Sequence, residues 1–534
     1  MHPAGVAALT ALIAAIYATY SLTLFNTFRS TAWDLVIFDQ AVRSYAHFHP
    51  GISIIKGVHN GFGPQFSALG DHFSPILAAL APLYWAWNGP QTLLVAQAVL
   101  FALAIPPLWV FTRRALGDGR KATAAAYLIG VAYGLSWPLA AAAAFDFHEV
   151  AFAPVLTAIA LERFQAGRLR PALAALAFLL LVKEDMGLLV AGIGCYLAVS
   201  LPPVVRRQRI VGVSLVVAGV AYTALATYLL IPAFGGRSDY YWAYGSLGRD
   251  VPQATWHLIR HPLSSLRMLV TPGVKLTTIA WLLIILGFLP LLSPIALAVI
   301  PLLAERMLNS KFPNWWLLHF QYNAYLVVPL TCAAVDGAAR LDRWAASAGR
   351  HLARRRKPGA APAGQAAGEA AARPPGVTPG RAAPRAALLG TGTVALACAV
   401  VICGLTLASV PRFQLGDALH ARFYEQTART RAAAAADAVV PSGVQVEAVN
   451  TLGSQLSGRD TVLLWDGEHP PAGSPWVVAD VREKQFTFGS VRAQRRRVAL
   501  LRRTGYRAVF ERDGYIVLHR AARRAAPPGQ PGTG

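Results

Sequence analysis

Long apolar segments recur along the chain and are separated by short polar loops. The first covers 5–27. Further segments lie at 91–111, 122–144, 147–163, 171–185, 186–204, 210–232, 276–290, 292–305, 324–339 and 387–409. A helix needs roughly 20 apolar residues to cross a bilayer, and several of these segments are shorter. The pattern predicts an all-α polytopic membrane protein with about 11 transmembrane helices. The Leu/Pro-rich stretch 74–88 is expected to be re-entrant or interfacial.

The composition agrees with a membrane protein and argues against a nucleic-acid-binding protein. Hydrophobic residues make up 55% of the chain and charged residues 14%, whereas soluble domains carry roughly 25% charged residues. The net charge of +23 comes mainly from basic residues in short loops, in one linker and in the C-terminal part. No zinc-finger spacing or single basic helix is present, so we expect no nucleic-acid partner. Membrane lipid is the expected surrounding.

The basic loops predict the orientation. They lie at 112–121, 163–170 and 204–209 and in the linker from Arg340 to Arg385. Cytoplasmic loops of membrane proteins carry an excess of Lys and Arg. We therefore expect a multi-pass protein of the cell membrane with a cytoplasmic N-terminus. The opposite loops, at 28–73, 145–150, 183–185, 233–275 and 305–323, are expected on the outer face.

The chain divides into four predicted regions. Residues 1–344 form a transmembrane domain, and 386–410 form the last transmembrane helix. Between them, 345–385 is rich in Ala, Pro, Gly and Arg, which predicts a disordered basic cytoplasmic linker. Residues 411–534 alternate short strands with helices, which predicts a small α/β domain. An odd number of spans makes this domain extracytoplasmic.

Two acids follow the first apolar segment. Asp34 is expected either to cap a helix that begins near Leu35 or to act in catalysis. Asp39 lies inside an apolar, aromatic helix, where an acid usually has a partner or a function. Both acids are therefore candidate catalytic residues.

Two further outer-face motifs contain ionisable residues. GDHFSP places Asp71 and His72 before an apolar stretch, either as a turn or as a polar pair lining a cavity. FDFHEV contains Asp146, His148 and Glu149, which could bind sugar hydroxyls or a divalent ion. Carboxylates with one His suit Mg²⁺ or Mn²⁺ only loosely, so the metal remains an open alternative.

The remaining candidates lie in two later loops. Lys183, Glu184 and Asp185 interrupt an apolar run, either as a tight hairpin or with the Lys holding a phosphate as a point charge. The late loop adds candidate substrate-binding residues among its aromatics: Arg306, Lys311, His319 and Gln321.

Several motifs occur in an order that resembles a known bacterial family. DLVIFDQAVRSY, GDHFSPILAALAPLYW, FDFHEVAFAPVL and KEDMGL, followed by HFQYNAYLVVPL, LGSQLSGRD and WVVAD, resemble domain-of-unknown-function family 2079. That family is similar to the GT-C glycosyltransferases, which take sugars from polyprenyl-phosphate donors. The resemblance implies a many-helix membrane body with an acidic motif in its first external loop. Gln40 stands where such enzymes often have a second acid.

The resemblance makes a glycosyltransferase acting on an envelope acceptor the leading hypothesis. Asp39 would be the general base, and Lys183, with Arg306 or Lys311, would stabilise the lipid phosphate. His72, His148 and Glu149 would line the pocket, and we expect Asp39 to open into the same cavity. The alternatives are a transporter of an envelope precursor and a non-catalytic envelope-assembly protein. Transporters tend to place ionisable groups near the bilayer midplane in repeated halves, a pattern that this sequence lacks.

Overall fold

A computed structural model describes residues 2–199, 206–239, 241–355, 392–469 and 472–521. Its N-terminal part is helical. The helices up to residue 233 are α1 (Pro3–Asn26), α2 (Ala32–Ala46), α3 (Ile54–His59), α4 (Ala81–Ala86), α5 (Pro90–Ala102), α6 (Ile105–Leu116), α7 (Arg120–Gly134), α8 (Trp137–Ala144), α9 (Phe152–Gln165), α10 (Leu169–Leu180), α11 (Met186–Val199), α12 (Arg206–Leu225) and α13 (Ile231–Ala233). Those that follow are α14 (Val251–Arg260), α15 (Pro262–Met268), α16 (Val274–Ile284), α17 (Ile300–Leu308), α18 (Ala324–Arg355) and α19 (Thr393–Ser409).

The described residues contain six helical segments long and apolar enough to cross a membrane. They are Pro3–Asn26, Pro90–Leu116, Arg120–Ala144, Arg206–Ala233, Gln321–Ala348 and Thr393–Arg412. Four shorter apolar helical segments, at Pro75–Ala86, Leu169–Leu180, Met186–Val199 and Val274–Ile284, add to them. The protein is therefore a multi-pass helical membrane protein, as predicted. Within the described residues, several predicted segments form helices of fewer than 18 residues, so the expected number of about 11 spans stays a prediction.

Glycines allow helices α11 and α12 to cross closely. A Cβ added to Gly194 would lie 2.6 Å from the carbonyl oxygen of Gly212. Gly187 and Gly219 make a similar approach about two turns away. Small residues at such crossings let two backbones meet, which is the usual packing device of membrane helices.

The last long helix is held by a polar contact with the preceding one. Asp342 of α18 accepts hydrogen bonds from the backbone N–H groups of Gly392, Val394 and Ala395 at 3.3, 3.1 and 3.4 Å. These groups belong to the first turn of α19, where backbone donors have no partner inside the helix. Helix α18 continues to Arg355, beyond the predicted start of the linker at 345. The rest of that linker, 356–385, lies outside the described residues.

The C-terminal part forms the expected small α/β domain. Its elements are α20 (Ala428–Val439), β1 (Gln445–Ala448), α21 (Asn450–Leu456), β2 (Thr461–Leu464), β3 (Trp476–Asp480), α22 (Val491–Arg503), β4 (Arg507–Arg512) and β5 (Tyr515–His519). The strands form one sheet in the order β2-β1-β3-β5-β4. Strand β1 runs parallel to β2 and β3, and β5 runs antiparallel to β3 and β4.

Helix α2 joins the C-terminal domain to the membrane body. Ala32, Val36 and Ile37 of α2 belong to the same buried cluster as the core of the α/β domain. The backbone N–H of Trp33 donates to Asn450 Oδ1 at 2.8 Å. The opposite side of α2, which includes Leu35 and Phe38, packs into the main core of the membrane body. Helix α2 is therefore buried on both sides.

Candidate functional site

Asp39 lies in a closed polar contact between α2 and the C-terminal domain. Its side chain is fully buried. Arg43 Nη2 donates to both carboxylate oxygens at 3.0 and 2.8 Å, and Tyr84 Oη donates to Oδ1 at 2.8 Å. The Ser457 hydroxyl donates to Oδ2. A carboxylate with this set of partners is expected to act as a structural ion pair, because no face of it is left for a substrate hydroxyl.

The geometry of Asp39 therefore departs from the expectation that it opens into the cavity of the FDFHEV loop. None of its four bonds reaches residues 145–150 or Lys183. Arg43, one helical turn later, is its cation. The spacing of four residues on one helix predicts the pair of Asp39 and Arg43. Tyr84 and Ser457 are distant in sequence, so no local pattern predicts their contacts with Asp39.

Asp34 has the accessibility that Asp39 lacks. Its side chain is 24% exposed, and Oδ1 lies 3.5 Å from His148 Nε2. Helix α2 begins at Ala32, with Thr31 at the N-cap, so Asp34 lies inside the first turn. The expectation that Asp34 caps a helix beginning near Leu35 is thus wrong, because the helix starts before it.

Asp146 takes the place at the helix terminus instead. Its Oδ2 accepts hydrogen bonds from the backbone N–H of Thr31 at 2.8 Å and from Thr31 Oγ1 at 2.7 Å. A carboxylate at a helix N-terminus satisfies a free backbone donor and complements the helix dipole. Burial raises the pKa of Asp146 to about 6, although the bonds from Thr31 oppose this. Asp146 therefore positions α2 and the FDFHEV loop relative to each other.

Gln97 of α5 fixes the same loop from the other side. Its Nε2 donates to the carbonyl of Asp146 at 2.8 Å, and its Oε1 accepts from the backbone N–H of His148 at 3.2 Å. The His148 ring stacks on Phe145, with centroids 5.4 Å apart. Its Nδ1 is buried and has no hydrogen-bond partner among the described residues. His148 is thus held in orientation while one ring nitrogen stays free.

Lys183 forms the centre of the second half of the cluster. Its Nζ lies 3.9 Å from Glu149 Oε1 and 3.9 Å from Asp185 Oδ2, and 5.6 Å from the centre of the Tyr322 ring. These distances are too long for hydrogen bonds. Within the described part of the chain, Glu149 Oε2, Asp185 Oδ1 and Tyr325 Oη are buried without any hydrogen-bond partner. Buried polar atoms without partners are costly, so their presence around one ammonium marks a place for water or a ligand.

The electrostatics keep Lys183 charged. Burial opposes the charged form, but Asp185, Glu149 and Glu184 outweigh it and raise the pKa of Lys183 well above its usual range. Burial raises the pKa of Asp185 to about 6, despite the opposing effect of Lys183. Lys183 is therefore a permanent cation, while one of its neighbours titrates near neutrality.

Asp71 and His72 extend this network. Asp71 Oδ1 pairs with Lys56 Nζ at 2.9 Å and accepts from Tyr241 Oη at 2.7 Å. His72 Nδ1 lies 2.7 Å from Glu184 Oε1. Glu184 is the neighbour of Lys183 in the chain, so three of the five predicted outer loops, 28–73, 183–185 and 233–275, meet here. Lys56 and Tyr241 were missed because neither stands in a recognisable motif.

The late loop contributes less than expected. Arg306 is buried, and its guanidinium donates to the carbonyls of Trp315 at 2.7 Å and Tyr322 at 2.5 Å and to Asn323 at 3.1 Å. Arg306 is thus engaged in holding the loop. Two of the other candidates are exposed: Lys311 lies beside the Phe312 ring, and His319 is hydrogen-bonded to Gln414 at 3.0 Å. Gln321 is buried, and its Oε1 has no hydrogen-bond partner among the described residues.

The candidate metal ligands do not form a metal-binding group. Asp146, His148 and Glu149 contact Thr31, Asp34 and Lys183 respectively. Among the described residues, the one group of at least three potential ligands with donor atoms within 4.8 Å is His59, Asp466 and His469. There, His59 Nε2 accepts from the backbone N–H of Leu464 at 2.8 Å, so its proton lies on Nδ1 and points to Asp466. Metal-bound histidines instead donate their second N–H outward, which makes this group a hydrogen-bonded cluster.

Three comparisons relate the chain to known proteins, and two of them gave matches. The crystal structure of ArnT from Cupriavidus metallidurans bound to undecaprenyl phosphate overlaps 99% of this chain and 100% of its own, with 12% sequence identity and a TM-score of 0.47. A search of functionally curated proteins gave no match. A family profile described as predicted membrane protein (DUF2079) matches residues 24–356, which is more than half of the chain. The family expected from the sequence motifs is confirmed, and this chain belongs to the DUF2079 family of predicted membrane proteins.

Proposed function

We propose that this protein is a membrane glycosyltransferase that moves a sugar from a polyprenyl-phosphate donor to an envelope acceptor on the outer face. The observation that carries the proposal is the environment of Lys183. The Lys183 ammonium is buried and lies 3.9 Å from both neighbouring carboxylates, so its N–H donors have no hydrogen bond to them and can donate to a phosphate oxygen. Such a cation would stabilise the charge on the phosphate as the bond to the sugar breaks.

Asp34 takes the role of general base in this proposal. It is the partly exposed carboxylate of the first outer loop, and His148 beside it helps to orient it. The acceptor hydroxyl oxygen attacks the anomeric carbon, the bond from that carbon to the phosphate oxygen breaks, and Asp34 takes the hydroxyl proton. His148 and Glu149 are consecutive residues that contact Asp34 and Lys183, and Tyr322 interacts electrostatically with both. This connection supports one shared site.

The distribution of charge supports the outer face. The basic loop 112–121 and the cluster loop 145–150 lie at opposite ends of the span Arg120–Ala144. Since basic loops favour the cytoplasm, Lys183 and the α/β domain docked on α2 would lie outside. The cluster is also formed by loops at one end of the spans, which favours an enzyme over a transporter with a midplane site.

The test is a transfer assay with purified protein in proteoliposomes. A panel of polyprenyl-phosphate monosaccharides would be supplied with an envelope fraction as the source of acceptor, and released polyprenyl phosphate would be measured. We expect release by the wild type, and a loss of about 100-fold or more in Asp34→Asn and Lys183→Gln. Arg492→Gln, which removes one exposed charge on α22, is the matched control and should retain activity. Equal release by all four proteins would overturn the proposal.

A further inference from the structure

A second polar cavity lies between α2 and the C-terminal domain, apart from the Lys183 cluster. This junction groove has a volume of about 810 Å³. Its walls are the end of α2 with the loop that follows it, and residues 457–461 of the α/β domain. The side chains of Arg43, His47, His49 and Arg459 line it, with Asp460 as its one carboxylate. Positive and potentially positive groups therefore outnumber negative ones, which favours an anionic ligand.

Arg43 has unused donors in this groove. Its Nη2 is occupied by Asp39, but its Nε is buried without a hydrogen-bond partner, and no bond within the described residues uses Nη1. Nη1 carries two N–H donors, which suit the oxygens of a phosphate. Asp39, itself held by Tyr84 and Ser457, fixes the orientation of the guanidinium and therefore of Nη1. Asp39 is thus a positioning residue for Arg43.

Arg459 contributes positive charge to the groove, but its guanidinium is already engaged by other groups of the chain. Its guanidinium donates to the carbonyls of Val440 and Asp437 at 2.5 and 2.7 Å and lies 3.5 Å from Asp460. His47 Nδ1 donates to the carbonyl of Arg43, 2.8 Å away, so its Nε2 stays accessible in an exposed ring. Arg43 and the two exposed histidines are therefore the groups that a ligand can reach.

An exposed aromatic rim adjoins the groove. The exposed fractions of Phe48, Trp85 and Trp87 are 88%, 65% and 48%. Trp85 Nε1 donates to the carbonyl of Ala46 at 2.9 Å, which ties this rim to the end of α2. The span Pro90–Leu116 begins three residues after Trp87. Tryptophans at the end of a span mark the depth of the lipid headgroups.

Phe48 follows the end of α2 in a left-handed backbone conformation, with a φ of +62°. The backbone N–H groups of Phe48 and His49 donate to the carbonyls of Tyr45 and Ser44 at 2.9 Å, a common way to end a helix. The Phe48 ring itself is almost fully exposed, with its centroid 6.3 Å from that of Trp85. The ring lies between His47 and His49, so contact with lipid at this point would place a headgroup at the groove.

We infer that the junction groove binds the phosphate of an anionic lipid headgroup, with Arg43 as its principal donor. His47 and His49 flank the phosphate, and Phe48, Trp85 and Trp87 contact the upper part of the acyl chains. This site is separate from the Lys183 cluster and does not depend on the proposed transfer activity.

Native mass spectrometry of the delipidated full-length protein would test the inference. The probes are dioleoyl phosphatidylglycerol, which is anionic, dioleoyl phosphatidylcholine, which is zwitterionic, and glucose 1-phosphate as a soluble phosphate. Arg43→Lys keeps a cation for Asp39 but removes the free Nη1 donors. The double variant His47→Ala/His49→Ala changes exposed residues only, so it keeps the test valid if Arg43→Lys fails to fold. Arg492→Gln is the control for loss of one surface charge.

The wild type should retain phosphatidylglycerol in preference to phosphatidylcholine, and both groove variants should lower this affinity about tenfold. The control should bind as the wild type does. If both groove variants leave phosphatidylglycerol binding unchanged, the site is overturned. If glucose 1-phosphate binding alone depends on the groove residues, the ligand is a soluble sugar phosphate and the lipid assignment is overturned.

Discussion

At the scale of single residues, Asp34 and Asp39 were both candidate catalytic residues in the sequence, but their surroundings in the fold differ. Asp39 is buried and joined to Arg43, Tyr84 and Ser457, whereas Asp34 keeps an accessible carboxylate beside His148. The sequence showed that an acid in an apolar helix needs a partner. Which acid is enclosed depends on Ser457, more than 400 residues away, and no local pattern contains that information.

Replacing Asp39 with Asn should lower stability and leave the chemistry in place. The variant loses the charge that pairs with Arg43, and breaking a buried pair costs about 3–5 kcal/mol. Arg43 is 23% exposed and can recover some solvation, so we expect the lower end of this range. Thermal unfolding of the purified protein measures the change, with Ser457→Ala as the milder control. Wild-type stability combined with loss of transfer would show that Asp39 is the base.

Asp185 should make stability depend on pH. Its pKa of about 6 in the fold lies above the ordinary value of about 3.9, so the folded protein binds this proton more tightly than the unfolded chain. This contribution is fully present below pH 4 and is lost as the pH rises through 6. Asp185→Asn, which resembles the protonated form, should therefore raise the melting temperature at pH 7.5 and change it little at pH 4. A lower melting temperature at pH 7.5 would show that the charge of Asp185 is needed to stabilise the buried Lys183 ammonium, and would contradict this prediction.

At the scale of helices and strands, the hydrophobic pattern located the apolar segments. It did not show where the helix within a segment is interrupted. The segment predicted at 91–111 is made of α5 and α6, with a break after Ala102 and Pro106 in the next turn. Proline cannot donate to the preceding turn, so it sits where a helix restarts. The α/β domain was recognisable because its strands are short and mostly apolar, and helices separate β1 from β2 and β3 from β4. Its docking on α2 was not, since it depends on contacts distant in sequence.

The crossing of α11 and α12 should not tolerate a larger side chain. A Cβ at Gly194 would meet backbone atoms of Gly212 and Val216 at 2.6 and 2.7 Å, so Gly194→Leu must push the two helices apart. Overpacking of this kind costs about 1–3 kcal/mol. Gly404→Leu is the matched control, because Gly404 is a helical glycine of α19 with open space around it. Size-exclusion profiles after heating should show earlier loss of Gly194→Leu alone.

At the scale of the whole molecule, the cluster and the α/β domain lie at the same end of the membrane body. Helix α2 contacts both, through Asp34 on one side and the Asn450 and Ser457 contacts on the other. The Lys183 cluster and the α/β domain must therefore lie on the same side of the membrane. The basic loops predict that this side is the outer one.

Cysteine labelling in intact cells tests this orientation. In a background without the four native cysteines, Glu468→Cys lies on an exposed loop of the α/β domain and should react with an impermeant thiol reagent. A cysteine at Gly368, in the predicted linker, should react only after the cells are opened. The reverse pattern would place the cluster in the cytoplasm and remove the basis for action on an envelope acceptor.

The most direct test of the proposed function is an experimental density map of the full-length protein in nanodiscs with added polyprenyl phosphate. The phosphate should lie within about 3 Å of Lys183 Nζ, with the side chain of Asp34 facing the same cavity. In Lys183→Gln this density should disappear while the fold is retained. Polyprenyl phosphate bound only in the junction groove at Arg43, with water alone at Lys183, would contradict the account.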